Sequence, residues 1–228
     1  VNWNTFFFVI IPYVALTLVL VVTVYRAITR PFTISSLSSQ LLERKQLFWG
    51  SIPFHYGILY VLLGHLLALL LPSGLLWWNS VPLRLYLLEF SGIIMGVWAL
   101  AGLMILFWRR VSIRRIQVVS TPMDYVILLG LVVSAVTGVI VATSYRFGSS
   151  WFASIFTPYL WSILIFQPRP DLVAPLPWLI KLHVINFFGL LALLPFSRLI
   201  HLITYPLSYL LRPWQIVIWA RQLKLRQS

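Results

Sequence analysis

The chain has 228 residues, of which 61% are hydrophobic and only 9% charged, with no cysteine and a formal net charge of +13. So little polar surface cannot cover a water-soluble globule, so the composition marks an integral membrane protein. The missing cysteines exclude disulfides, iron–sulfur ligation by this chain and thioether-linked haem. The basic residues cluster at the ends of apolar runs, a pattern of membrane topology rather than of nucleic-acid binding.

Five spans are predicted, each near the ~20 apolar residues that cross the hydrocarbon. The first runs from about Phe6 to Ile28 and ends at Arg26 and Arg30. It is long and lacks a small-residue cleavage site, so it reads as a retained span rather than a signal peptide. A polar connection, TISSLSSQLLERKQ, carries Arg44 and Lys45 to the second span, PFHYGILYVLLGHLLALLLP, from Pro53 to Pro72. A nearly uncharged loop with Trp77 and Trp78 leads to the third, about Leu87 to Trp108, which closes on Arg109, Arg110, Arg114 and Arg115. Thr121, Pro122 and Asp124 read as an N-cap, a first-turn proline and a dipole-favoured acid opening the fourth span, about Met123 to Thr143. The stretch SSWFASIFTPYLWSILIF, followed by prolines at 168, 170, 175 and 177, is apolar but short for a span. It is expected to form an interfacial helix with an aromatic belt, a sixth crossing being the alternative. The fifth span runs from about Pro177 past His201 to Tyr205. Residues 1–211 thus form one transmembrane domain, residues 212–228 form a basic tail, and no internal repeat is visible.

Charge asymmetry sets the expected orientation. Arg26, Arg30, Arg44 and Lys45, then Arg109 to Arg115, then Arg212 to Arg226 lie on alternate connections and share one side, expected to be cytoplasmic. The N-terminus and the loops around Trp77 and Trp151 are then outside, and the C-terminus is inside.

All four histidines lie in two of these hydrophobic segments. His55 and His65 are in the second span, His183 and His201 in the fifth. An ionisable side chain inside a span is costly and marks a functional site by default. The two spans run in opposite directions, so His65 pairs with His183 near the outside and His55 with His201 near the cytoplasm. At 1.5 Å per residue the two members of each span are ~15 and ~27 Å apart, so no single ion collects all four. Zinc normally takes four protein ligands, or three and an open position, and no thiolate or carboxylate completes either pair. Two imidazoles from facing helices suit the axial positions of a haem iron, and two such haems form an electron path across the membrane. The expected fold is therefore an all-α, five-span bundle with two stacked b-type haems.

Geometry within the spans is less regular. The ten-residue step from His55 to His65 leaves them pointing ~80° apart. His183 and His201 are five turns apart, but Pro195 lies between them and is expected to kink the helix and re-aim His201. Arg198, one turn before His201, either pairs with a haem propionate or anchors the positive side. Gly57 and Gly64 beside the histidines, and the Gly92/Gly96 pair in span three, serve either helix packing or room for a porphyrin face. The four acids, Glu43, Glu89, Asp124 and Asp171, form no paired-carboxylate pattern. A non-redox anchor or small transporter is the competing class, although the broken-helix repeats expected of a transporter are not seen.

Three stretches, SSQLLERK, FHYGILYVLLGH and LHVINFFGLLALLPFSRLIH, resemble the gamma subunit of respiratory nitrate reductase, a membrane cytochrome b. The resemblance is close over spans two and five and weaker over the rest. It implies a five-span dihaem b subunit in the cell membrane that oxidises quinol near the outer face. Electrons would pass inward to an iron–sulfur subunit and a molybdenum catalytic subunit, no nitrate site lying in this chain. It also implies that His55, His65, His183 and His201 are the axial ligands in the pairing above. The quinol site would involve Gly64, His65 and a basic residue after span two, for which Arg84 is close but offset. Other quinone-linked molybdenum or iron–sulfur enzymes, including ones running in reverse, use subunits of the same kind.

Overall fold

The computed structural model describes residues 2–29, 39 and 41–203. Arg30, Tyr205 and the basic tail 212–228 lie outside the described residues. Among those described, five helices are long and apolar enough to cross a membrane. They are α1 (Trp3–Thr29), α2 (Lys45–Leu70), α4 (Pro82–Ser112), α6 (Pro122–Ser144) and α8 (Trp178–Leu193, continuing as a tighter turn to Phe196). Short helices α3 (Pro72–Asn79) and α5 (Arg114–Val118) fill two connections. A helical run at 148–164, α7, joins Gly148–Trp151, a π turn at Phe152–Phe156, and Thr157–Leu164.

The helix starts follow from local chemistry. Proline opens α3, α4 and α6, where its missing N–H costs nothing. At α6 the Thr121 hydroxyl accepts from the Asp124 N–H while the Asp124 carboxylate accepts from the Thr121 N–H, a reciprocal cap. The second span begins eight residues earlier than expected, and Pro53 lies inside it. Proline is tolerated there because close packing with α4 holds the helix on both sides of it. Pro72 does not end a span in a loop but starts α3, so the Trp-rich connection is helical.

Neighbour packing runs α2–α4–α6–α8–α1, while α2 and α8 are not among the closely packed pairs. The α2–α4 contact is the tightest. A Cβ added at Gly57 would sit 2.5 Å from the Met95 carbonyl oxygen, and one at Gly102 would sit 2.5 Å from the Phe54 nitrogen. In lipid, where burial of apolar surface no longer drives helix pairing, such small residues allow the backbones to meet. The expected Gly92/Gly96 pair does not serve this purpose. A Cβ at Gly92 meets nothing within 4 Å and one at Gly96 makes only ordinary contact with Val139. The close-packed residues are Gly50 and Gly57 on α2, facing Ala99 and Gly102 on α4.

α7 lies across the tryptophan-rich end. Thr157 and Trp161 donate to the Ala68 and Leu69 carbonyls at the end of α2, and Tyr159 donates to the Phe8 carbonyl in α1. Tyr159, Phe156 and Ile163 enter a core with Phe8, Ala15, Val184 and Phe188. At the opposite end α8 breaks. After Pro195 the chain is extended at Ser197 (φ −116°, ψ 177°), whose side chain accepts from the Leu199 N–H to start a new turn. His201 therefore belongs to a separate short segment, and the five-turn register with His183 does not hold.

Candidate functional site

Each histidine has its Nδ1 engaged. His55 and His65 donate to the carbonyls one turn back, Ser51 at 2.8 Å and Val61 at 2.8 Å. His201 donates to the Arg198 carbonyl at 2.6 Å. His183 lies 2.9 Å from the Thr137 hydroxyl on α6. That hydroxyl donates to the Val133 carbonyl at 2.7 Å, which leaves its lone pair to accept the His183 proton. Anchoring Nδ1 sets ring orientation and leaves Nε2 as the nitrogen available to a ligand. Gly138 gives the His183 ring its room, since an added Cβ would lie 3.1 Å from its Cε1.

The structure brings the four rings together in pairs. His55 and His201 face each other with ring centres 6.4 Å apart and planes 46° apart. His183 is close enough to His65 to interact electrostatically with it. Phe152 of α7 stands edge-on to His65 at 5.1 Å. The helices that carry His65 and His183, α2 and α8, are not among the closely packed pairs.

This donor set fits a haem iron. A metal–imidazole bond of about 2.0 Å on each side, with roughly 1.2 Å from ring nitrogen to ring centre, separates two axial rings by about 6.4 Å. The 6.4 Å between His55 and His201 matches it. Among the described residues no group of three or more His, Cys, Asp or Glu could hold a metal ion, which leaves paired rings as the available ligands. An added Cβ at Gly64, next to His65, meets nothing within 4 Å, so this face of α2 borders open space. Gly57, by contrast, is a packing residue.

Arg198 sits on an acid that sequence reasoning treated only as a cap. Its Nε is 3.1 Å from Asp124 Oδ1, while Arg110 reaches Asp124 Oδ2 at 3.0 Å. Asp124 thereby ties the ends of α4 and α6 to the segment carrying His201. These three residues and His201 line a cleft of about 150 Å³. A second network was not anticipated. Arg109, 3% exposed, bonds Glu43 at 2.7 Å and also donates to Ser39. Partial burial works to raise the Glu43 carboxyl, but hydrogen bonds from Arg109 and from the Gln46 and Leu47 N–H groups outweigh it and hold the carboxyl below its ordinary value. An acid three residues before Gln46, at a helix start, was the available signal.

At the other end, Arg84 lies over the Trp77 and Trp78 rings at 4.7 and 5.3 Å, a cation–π clamp. Glu89, near the start of α4, accepts from the Ser149 N–H at 2.9 Å and from its hydroxyl. Asn79 donates to Ser149 and Ser150, both at 2.9 Å. Sequence reasoning passed over Glu89 because it sought paired carboxylates, whereas the signal was a lone acid in an apolar run.

Comparison with known proteins gives the family. A family model described as the nitrate reductase gamma subunit matches residues 4–220. The nitrate reductase gamma chain of Bacillus subtilis (strain 168) is 34% identical over 211 residues, 91% of this chain and 94% of that one. The respiratory nitrate reductase 1 gamma chain of Escherichia coli (strain K12) is 31% identical over 222 residues, 94% and 96% of the two chains. More distantly, the Hdr-like menaquinol oxidoreductase cytochrome b-like subunit of Archaeoglobus profundus is 27% identical over 172 residues, 70% of this chain and 48% of that one. With five membrane helices and a family match spanning nearly its whole length, the chain belongs to the nitrate reductase gamma subunit family.

Proposed function

We infer that this chain carries electrons from quinol across the cell membrane through two bis-histidine haems b. The observation that carries the reading is the His55–His201 pair, its ring centres 6.4 Å apart, with Nδ1 anchored on both rings. Haem b held by these histidines would supply reversible one-electron chemistry. His65 and His183 would hold the outer group and His55 and His201 the inner one. The Thr137 hydroxyl and the carbonyls of Ser51, Val61 and Arg198 fix the rings and raise their basicity.

Basic clusters orient the chain with its C-terminal end in the cytoplasm. Quinol then approaches from the bilayer beside Gly64, His65 and Arg84 and releases its protons outside. The arginine-rich side docks an iron–sulfur subunit that feeds a molybdenum catalytic subunit, as the names of the gamma-chain relatives support. The menaquinol oxidoreductase relative supports quinol as donor and keeps other acceptor complexes in view.

The test is haem b content per chain by pyridine haemochrome, with His65→Ala and His201→Ala alongside. Two haems in the wild type and one in each variant are expected. A correctly assembled protein without haem would leave an anchor or transporter.

A further inference from the structure

Of the four acids in the chain, three have arginine partners: Glu43 with Arg109, Asp124 with Arg110 and Arg198, and Asp171 with Arg169. Among the described residues Glu89 has none, and it lies deeper in its span than Asp124, which caps the first turn of α6. It sits seven residues into α4, about 10 Å below the start of that helix at 1.5 Å per residue. A carboxylate at such depth is costly and marks a functional site by default.

Its surroundings connect it to the outer histidine pair. Ser149, which bonds Glu89, is one helical turn before Phe152, the ring standing against His65. On the facing side of the same level, Tyr60 of α2 bonds Ser91 of α4 at 2.7 Å. Glu89 Oε2 and Trp151 Nε1 approach a common point, lying 3.6 and 3.8 Å from a Cβ built on Gly148. Trp151 Nε1 and the Oδ1 of Asn79, itself 9% exposed, have no hydrogen-bond partner among the described residues. The Trp151 N–H and the Glu89 carboxylate therefore offer one donor and one acceptor, which match the two roles of a hydroxyl group. Asn79 and Ser149 continue from Glu89 to the α3–α4 connection, where Ser80 is exposed.

We propose that Glu89 is a catalytic residue that receives the quinol proton beside the outer histidine pair and passes it to the outer surface at the Ser149–Asn79 corner. This rests on the proposed function. In the step, a quinol O–H bond breaks, its proton forms an O–H bond with Glu89, and one electron leaves for the oxidised haem that His65 and His183 would hold. Glu89 then releases the proton to water outside. The second hydroxyl repeats the sequence, so that one quinol yields quinone, two protons outside and two electrons inward.

The competing role for Glu89 is purely structural, as an acceptor that caps α7. Glu89→Gln separates the two, because glutamine keeps an acceptor for Ser149 but takes up no proton. The full chain carrying its haem is mixed with a soluble quinol and haem reduction is followed in a single turnover. Slowing on the order of 10²-fold is expected in E89Q, the size of a lost proton acceptor. Haem content and binding of a fluorescent quinol analogue should stay within a few-fold of wild type. In the redox-induced infrared difference spectrum of the wild type, a protonated-carboxyl C=O band should appear that E89Q lacks. Glu89→Asp should recover most of the rate. An E89Q protein as fast as wild type, or an E89D protein as slow as E89Q, overturns the proposal. Absence of the carboxyl band in the wild type does so even where a variant fails to assemble. A wild type that quinol does not reduce overturns the proposed function and this inference together, whereas a reduced wild type beside an equally fast E89Q overturns the inference alone.

Discussion

Gly102→Ala should cost the protein its inner haem while sparing the outer one. Glycine to alanine in an exposed helix normally stabilises by about 1 kcal/mol. At Gly102 the new methyl would lie 2.5 Å from the Phe54 nitrogen and 2.6 Å from the Gly50 carbonyl oxygen. Ordinary contact begins at 3.4 Å, so the α2 backbone must retreat by about 0.9 Å. Both crowded atoms are backbone, and no side-chain rotation relieves them. Overpacking of this kind costs about 1–3 kcal/mol, enough to cancel or reverse the helix-propensity gain. The retreat falls on Phe54, next to His55, and ligand distances tolerate only about 0.2 Å. His65, ten residues further along α2, is much less affected. Pyridine haemochrome should fall from two haems towards one per chain, with the remaining signal that of the His65–His183 site. Two haems with unchanged redox titration and a raised thermal midpoint would show that α2 and α4 are not locked through Gly102, and the reasoning would be wrong.

Hydrogen bonds around the helix ends and rings carry three further predictions. Glu43→Ala leaves the Arg109 guanidinium, whose side chain is 4% exposed, without its carboxylate partner. The loss should be about 3–5 kcal/mol in thermal or denaturant unfolding, and an unchanged midpoint would deny the pair its structural role. Because the folded Glu43 carboxyl is held below its ordinary value, its stabilisation is fully present above the unfolded pKa. It is lost as pH falls through the folded value. Acid sensitivity should therefore shrink in Glu43→Gln, and equal sensitivity in both proteins would count against the assignment. Thr137→Val removes the acceptor of the His183 Nδ1 proton without changing side-chain shape. The ring becomes a weaker base, so the outer haem should be held on the order of 10-fold less tightly and its midpoint potential should rise. Optical redox titration should show the inner component unmoved, and a shift in both components would point to general loosening.

Much of this protein is written in its composition and spacing. Five apolar runs, basic residues at alternate ends, and four histidines confined to two antiparallel runs were sufficient to expect a bundle in which His55 meets His201 and His65 meets His183. Hydrocarbon permits few alternatives to the membrane helix, because every buried backbone group must be satisfied within its own segment. Helix starts at Thr121 and Pro122 were legible for the same local reason, since a cap involves residues three apart. The Pro195 break was readable because proline removes a donor wherever it stands in a helix.

Contacts between distant segments were decided only by the tertiary structure. Whether a glycine packs or borders space depends on the helix opposite, so Gly57 and Gly102 could not be told from Gly64 and Gly92 by sequence. Arg198 was placed one turn from His201, but its pairing with Asp124 joins residues 74 apart in the chain. Glu89 looked like an isolated acid until α7 folded across the tryptophan-rich end and placed Ser149 on its carboxylate. Periodicity reports which residues share a helix face; it carries no information about which side chain from another segment arrives there, as the Thr137 hydroxyl does at the His183 ring.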